Sequence, residues 1–318
     1  MPLTKLQFKP GINRDVTSYS NEGGWVDSDK VRFRLGFPEK IGGWVKYSSN
    51  TFLGTCRALH TWVTLAGTQY LGLGTHLKYY LEIGQSFSDI TPIRKTSTDS
   101  ITFAATDGSS TLVVTDSSNG VVDNDFVTFS GAVSLGGLVT AAVLNQEYQV
   151  IGVTSANVYS ITAKDTDGVT VTANSSDSGN GGSGVDGSYQ INVGLDTEVG
   201  GTGWGAGTWG RSTWGSAADI TATTSLRLWS HDNFGEDLLI NPRDGAVYYW
   251  DASVSNAFTT RAVDLVDISG ASDVPTIAKQ IMVSDNSRHV IAFGTNTINT
   301  AVQDSLLIRF SDQESFLD

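Results

Sequence analysis

From Arg57 onward apolar and polar residues alternate in short runs, and glycine-containing turns separate one run from the next. The stretch RALHTWVTLAGTQYLGLGTHLKYYLEIGQSFSDITPIR, residues 57–94, parses as four short strands: ALHTWVTL, QYLGLGT, LKYYLEI and GQSFSDITPI. The segment SLRLWSHDNFGEDLLINPRDGAVYYWDAS, followed by RAVDL, repeats the plan. An apolar strand with a Trp leads through a Gly turn to a second apolar strand, an RDG turn, an aromatic strand and a short last one. A third pass, IAKQIMVSDNSRHVIAFGTNTIN followed by SLLIRFSDQESF, has the same grammar, with Tyr70, Leu238 and Val290 in equivalent second strands. Four-stranded repeats of about 40 to 50 residues are the sequence signature of β-propeller blades. A plain β-sandwich with turns at similar intervals is the alternative. Three blades fall short of the roughly 4 to 8 of closed propellers, so the chain reads as the N-terminal part of a longer protein or as one whose partners complete its sheets.

The first and second passes are separated by an insertion, residues 96–202. Its alternating runs DFVTFSG, EYQVIGV and VYSITA, set between Asn, Gly, Ser and Asp turns, predict a small β-barrel or β-sandwich, and a Gly/Ser-rich tether follows. The stretch TGWGAGTWGRSTWG, residues 202–215, sets Trp204, Trp209 and Trp214 at intervals of five. That spacing matches neither the strand nor the helix period, so the stretch reads as a return linker from the insertion. At the other end, residues 1–56 read as an extended arm. Within it only KVRFRLGF alternates like a strand, with Val31, Phe33, Leu35 and Phe37 on one face and Lys30, Arg32 and Arg34 on the other. The predicted organisation is thus arm (1–56), first propeller-like blade (57–95), inserted β domain (96–202), linker (203–225) and further blades (226–318).

Composition agrees with an all-β class: 35 Gly, 2 Met, and no long Leu/Ala/Glu/Lys run with helical periodicity. A hydrophobic fraction of 39% is enough to bury a core. The formal net charge of -13 disfavours nucleic-acid binding through a basic surface, yet suits a wall past which DNA slides without sticking. The single cysteine excludes an intrachain disulfide framework. No apolar run has the length of a membrane span, and the N-terminus lacks the pattern of a signal peptide.

Candidate chemistry is sparse. His60, His76, His231 and His289 have no metal-binding spacing and no partner cysteines, so surface or turn histidines are the expectation. Ser230, His231 and Asp232 carry the residue types of a catalytic triad, but neighbours on a strand point to opposite faces. Acidic clusters VDNDF and DTDG do not match a calcium loop and read as solvated turns. LGLGT lacks the rest of a dinucleotide fingerprint and reads as a strand where sheets approach closely. The three linker tryptophans are candidates for surface contact or for glycan stacking. No catalytic, cofactor or metal residues are assigned.

The phrases KPGINRDVTSYSNEGGWVDSDKVRFRLGFPEKIGGWVK, TFLGTCRALHTWVTLAGTQYLGLGTHLKYYL, LRLWSHDNFGEDLLINPRDGAVYYWD and LLIRFSDQESFLD resemble tail hub or nozzle proteins of short-tailed bacteriophages, the phage stabilisation proteins. The resemblance covers residues 1–95 and 203–318. It implies a non-enzymatic virion protein with a β-propeller body, assembled in the host cytoplasm as a homo-oligomer, a hexamer. Such a ring would lie below the portal and a tail adaptor protein, extend the channel for passage of viral DNA, and mount a tail fibre or tail tip protein. Trp25, Phe33, Phe37 and Trp44 on the arm are then the candidates for contacts between subunits. The rival expectations are a carbohydrate-binding tail appendage and, more weakly supported, a virion glycan hydrolase, for which the sequence names no carboxylate pair.

Overall fold

The run KVRFRLGF is not one strand but a hairpin. In the computed structural model, which describes residues 9–17, 19–192 and 227–318, Leu35 and Gly36 have φ of 50° and 85°. Positive φ at both central residues is the primed two-residue turn whose twist matches antiparallel strands. The turn joins β1 (Val31–Arg34) to β2 (Phe37–Lys40), with Arg32 opposite Glu39 and 3.1 Å from its carboxylate. Leu35 and Phe37 therefore do not extend the face of Val31 and Phe33. The chain forms two compact units that divide between Ser49 and Asn50, and this hairpin belongs to the first. In the same unit the segment before it is held by bonds from the Lys9 and Asn13 amides to the carbonyls of Gly23 and Trp25. Arg14 pairs with Asp27 at 2.6 Å, and its proximity holds the Asp27 carboxyl below the usual range.

Among the described residues the second unit holds four antiparallel sheets, none closed into a barrel. The first is a meander of β3 (Cys56–Val63), β4 (Gln69–Thr75), β5 (Tyr79–Ile83) and β6 (Ser86–Asp89). Phe52 and Leu53 cover part of one face, Phe52 packing on Tyr80 and Phe87, and the Leu53 amide donating to the Tyr80 hydroxyl.

An eight-stranded sheet follows, containing β7 (Ile93–Ser97), β8 (Thr102–Ala105), β9 (Thr111–Thr115), β10 (Phe126–Ser130), β11 (Glu147–Ser155), β12 (Val158–Thr162), β13 (Asp177–Asn180) and β14 (Asp186–Gln190). Its order is β13-β8-β9-β12-β11-β10-β14-β7, with one short helix, α1 (Ala141–Leu144), capped by the Thr140 hydroxyl. The sheet is open, so the barrel form of the expected insertion is not adopted. It folds over instead at β11, whose first residues pair with β10 and whose remainder pairs with β12 across two bulges. Phe103 of β8 consequently meets Phe129 of β10 at 4.9 Å although their strands are not neighbours, and both lie in one core with Leu112, Val127, Tyr159 and Tyr189.

Two further meanders complete the unit. One holds β15 (Trp229–Phe234), β16 (Asp237–Pro242), β17 (Tyr248–Trp250) and β18 (Val263–Asp264). The other holds β19 (Gln280–Val283), β20 (Val290–Phe293) and β21 (Ile308–Phe310). Tyr70, Leu238 and Val290 fall on β4, β16 and β20, the second strands of the three meanders.

Candidate functional site

The three meanders stack through their first strands: β15 packs against β3 on one side and against β19 on the other. The period of two in the sequence explains how the middle sheet serves both neighbours. Leu238, Ile240, Tyr248 and Trp250 join Trp62, Tyr79 and Leu81 of the first meander in one core. Leu239, Val247 and Phe234 join Ile281, Val283 and Ala292 of the third in another. Polar groups add direction. The Ile281 and Val283 amides donate to Ser230 Oγ (3.0 Å) and Asp232 Oδ2 (2.7 Å), while the Trp229 indole donates to the Thr75 carbonyl (2.7 Å) and the Trp62 indole to that of Glu236 (3.0 Å). Gly74, from LGLGT, lies directly under Trp229: a Cβ there would sit 2.4 Å from the indole Cδ1, so the close approach requires glycine.

Histidines far apart in the chain meet at the first junction. The rings of His60 and His231 lie 4.9 Å apart. Asn233 donates through Nδ2 to the Asp237 carbonyl, which turns its Oδ1 toward His60 Nε2 at 2.5 Å, so His60 donates there. His231 hydrogen-bonds the Leu59 backbone and, through Nδ1 at 2.9 Å, the buried Tyr79 hydroxyl. Burial, and then the neighbouring His60, pull the His231 pKa down to about 4, so the ring is neutral at pH 7. Ser230 and Asp232 bind the third meander while His231 faces the first, which separates the triad residue types. The expectation of surface or turn histidines thus fails at His60 and His231, because strand register across the stack, invisible in local spacing, pairs them. His76 accepts from the Thr55 amide, and His289 bonds the Ser311 carbonyl.

A second cluster, which the sequence reading did not identify, clasps the eight-stranded sheet to the meanders. Lys78, with a side chain 2% exposed, reaches Asp89 at 2.7 Å and Glu147 at 2.6 Å. Arg261 approaches the same carboxylates at 3.2 and 3.8 Å and donates to the Thr91 carbonyl, and the Gln190 amide donates to both acids. The ammonium also lies 4.4 Å from the Phe126 ring centroid. Burial raises the Asp89 pKa, but Lys78 and Arg261 outweigh it and hold the carboxyl below its ordinary value. The signal was a lone lysine inside the apolar run LKYYLEI, since a buried charge requires a partner. Asp125 of VDNDF likewise is buried rather than solvated, accepting from the Val122 amide, whereas Asp165 of DTDG caps its own turn through the Asp167 and Val169 amides.

Among the described residues no three His, Cys, Asp or Glu side chains converge as metal ligands, and no helix is long and apolar enough to cross a membrane. On the first unit, Trp25 and Phe33 pack edge to face at 6.1 Å, while Phe37 and Trp44 are fully open to solvent or nearly so. Trp204, Trp209 and Trp214 lie outside the described residues.

The fold and these clusters define an all-β protein of stacked, blade-like antiparallel sheets with an eight-stranded module between the first and second. No protein-family model and no curated protein matches the chain. Among solved structures it is similar to the "Phage phi92 endosialidase", with 12% identity and a TM-score of 0.26 over 86% of this chain. The chain spans 38% of that protein's length, and a likeness at that score assigns no chemistry.

Proposed function

We propose that the chain is a structural, non-enzymatic protein of a bacteriophage tail, a nozzle or hub subunit working as a homo-oligomer on the path of DNA ejection. The observation that carries the reading is where the phage-like phrases fall. They form the hairpin and strands of the stacked meanders, elements that build surfaces. The polar clusters serve cohesion: His231 bonds the Tyr79 hydroxyl and the Leu59 backbone, and Lys78 joins sheet to sheet. The net charge of -13 suits a channel that must not hold DNA. In this reading a tail adaptor protein lies above the ring and a fibre or tip protein below it, and Phe37 and Trp44 supply exposed anchors for neighbouring subunits.

The test is single-particle cryo-electron microscopy of purified virions. A ring of this protein on the tail axis below the portal adaptor is the expected result. Density confined to peripheral spikes would instead favour the carbohydrate-binding appendage, and absence from the particle would end the tail reading.

A further inference from the structure

The buried Lys78 cluster holds an amine nucleophile against a carboxyl group. Nζ lies 2.7 Å from Asp89 Oδ2, 2.6 Å from Glu147 Oε2 and 4.4 Å from the Phe126 ring centroid. Both backbones are pinned. The Thr75 hydroxyl accepts from the Lys78 amide and donates to the Lys78 carbonyl, and the Thr91 amide donates to Asp89 Oδ1 at 2.9 Å. Reacting groups fixed in contact need no encounter step, and a lysine amine out of water is the ordinary form of an activated nitrogen nucleophile.

The surroundings distinguish the two carboxylates. Asp89 is the more buried, its side chain 19% exposed against 31% for Glu147. Its Oδ1 meets a backbone amide, a donor placed where negative charge develops when a nucleophile adds to the carboxyl carbon. Its Oδ2 meets Lys78, Gln190 and Arg261. Glu147 Oε2 touches the same ammonium from the other sheet, in the position of a proton carrier.

We propose that Lys78 and Asp89 condense to a side-chain amide, with Glu147 moving the protons. Glu147 takes a proton from Nζ and passes it to Asp89 Oδ2, and the amine lone pair then adds to Asp89 Cγ. A second proton follows the same route as the Cγ–Oδ2 bond breaks. Nζ thus gives up two protons, Oδ2 leaves with both as water, and Glu147 ends ionised as it began. One buried cation and one buried anion disappear together, which removes their desolvation cost, and Arg261 keeps Glu147 as its partner. Lys78 and Arg261 hold Asp89 ionised at rest, so the neutral pair that reacts is a minor form and the bond follows folding slowly. The inference does not depend on the tail reading.

Intact mass spectrometry of the folded 318-residue chain, followed over days at neutral pH, tests it. The expected species is lighter by one water. Trypsin should then fail to cut after Lys78, so that residues 58–94 appear as one peptide whose fragmentation is interrupted between positions 78 and 89. Lys78→Arg, which keeps the charge but not the amine, should retain the full mass. Glu147→Gln should slow the loss on the order of 100-fold. Circular dichroism verifies that both variants are folded; if either is not, the mass and digest of the unaltered chain decide alone. Full mass in the unaltered chain, water lost only from another peptide, or a link from Lys78 to the peptide of residues 96–164 that contains Glu147 would overturn the proposal. An unslowed Glu147→Gln would overturn the part given to Glu147.

Discussion

His231 makes the first junction sensitive to acid. The unfolded chain takes up this proton near the ordinary 6.5, the folded chain only at about 4. The unfolded state therefore binds more protons across that window, so stability is complete above pH 6.5 and falls as the pH drops toward 4, by up to about 3 kcal/mol. Urea midpoints measured between pH 4 and 7.5 should show this slope, and His231→Gln, whose amide oxygen can still accept from Tyr79, should flatten it. Lys78 sets the second expectation. Removing its ammonium leaves Asp89 and Glu147 facing each other with Arg261 as the remaining cation. Lys78→Met should cost about 3 kcal/mol in denaturant unfolding, the effect of breaking a buried ion pair from one side.

At the level of the strand, legibility followed the period. The four strands of the first meander are short runs bounded by Gly turns, so their order could be read directly. KVRFRLGF misled because alternation runs unbroken through Leu35, while the turn depends on positive φ at a Leu-Gly pair that lacks the usual Asn or Asp. The pairing of His60 with His231 depends on the register between strands from different meanders, which no local window contains. Gly74 was legible as a point of close approach, and its partner, Trp229, was not. Gly74→Val should destabilise by about 1 to 3 kcal/mol through overpacking against that indole. Gly152→Ala on β11, where a Cβ meets nothing within 4 Å, should leave the thermal midpoint unchanged or slightly higher and serves as the contrast.

For the whole molecule, the subunit contacts proposed for the first unit can be tested separately from folding. Trp25→Ala with Trp44→Ala should reduce incorporation into tails or oligomers while leaving the unfolding of residues 50–318 unaltered; assembly at the level of the unmodified protein would remove the arm as a contact. The connection of the eight-stranded sheet has a different consequence. Its first and last strands, β7 and β14, run side by side, and just outside them the Ile191 amide donates to the Pro92 carbonyl at 3.0 Å. In topological terms everything between those two residues is one oversized hairpin loop. Because closure entropy grows by only about 0.6 kcal/mol per doubling of loop length, the chain entropy of the host sheets sets little limit on the loop's size, and its contents matter chiefly through Glu147, the partner of the buried Lys78. A two-residue turn in place of residues 93–190, combined with Lys78→Met to remove the ammonium that loses Glu147, should give a chain that still unfolds cooperatively, and the excised segment should fold alone. The position between Pro92 and Ile191 is thus a grafting port, where one domain can be exchanged for another once Lys78 is changed to suit the loss of Glu147.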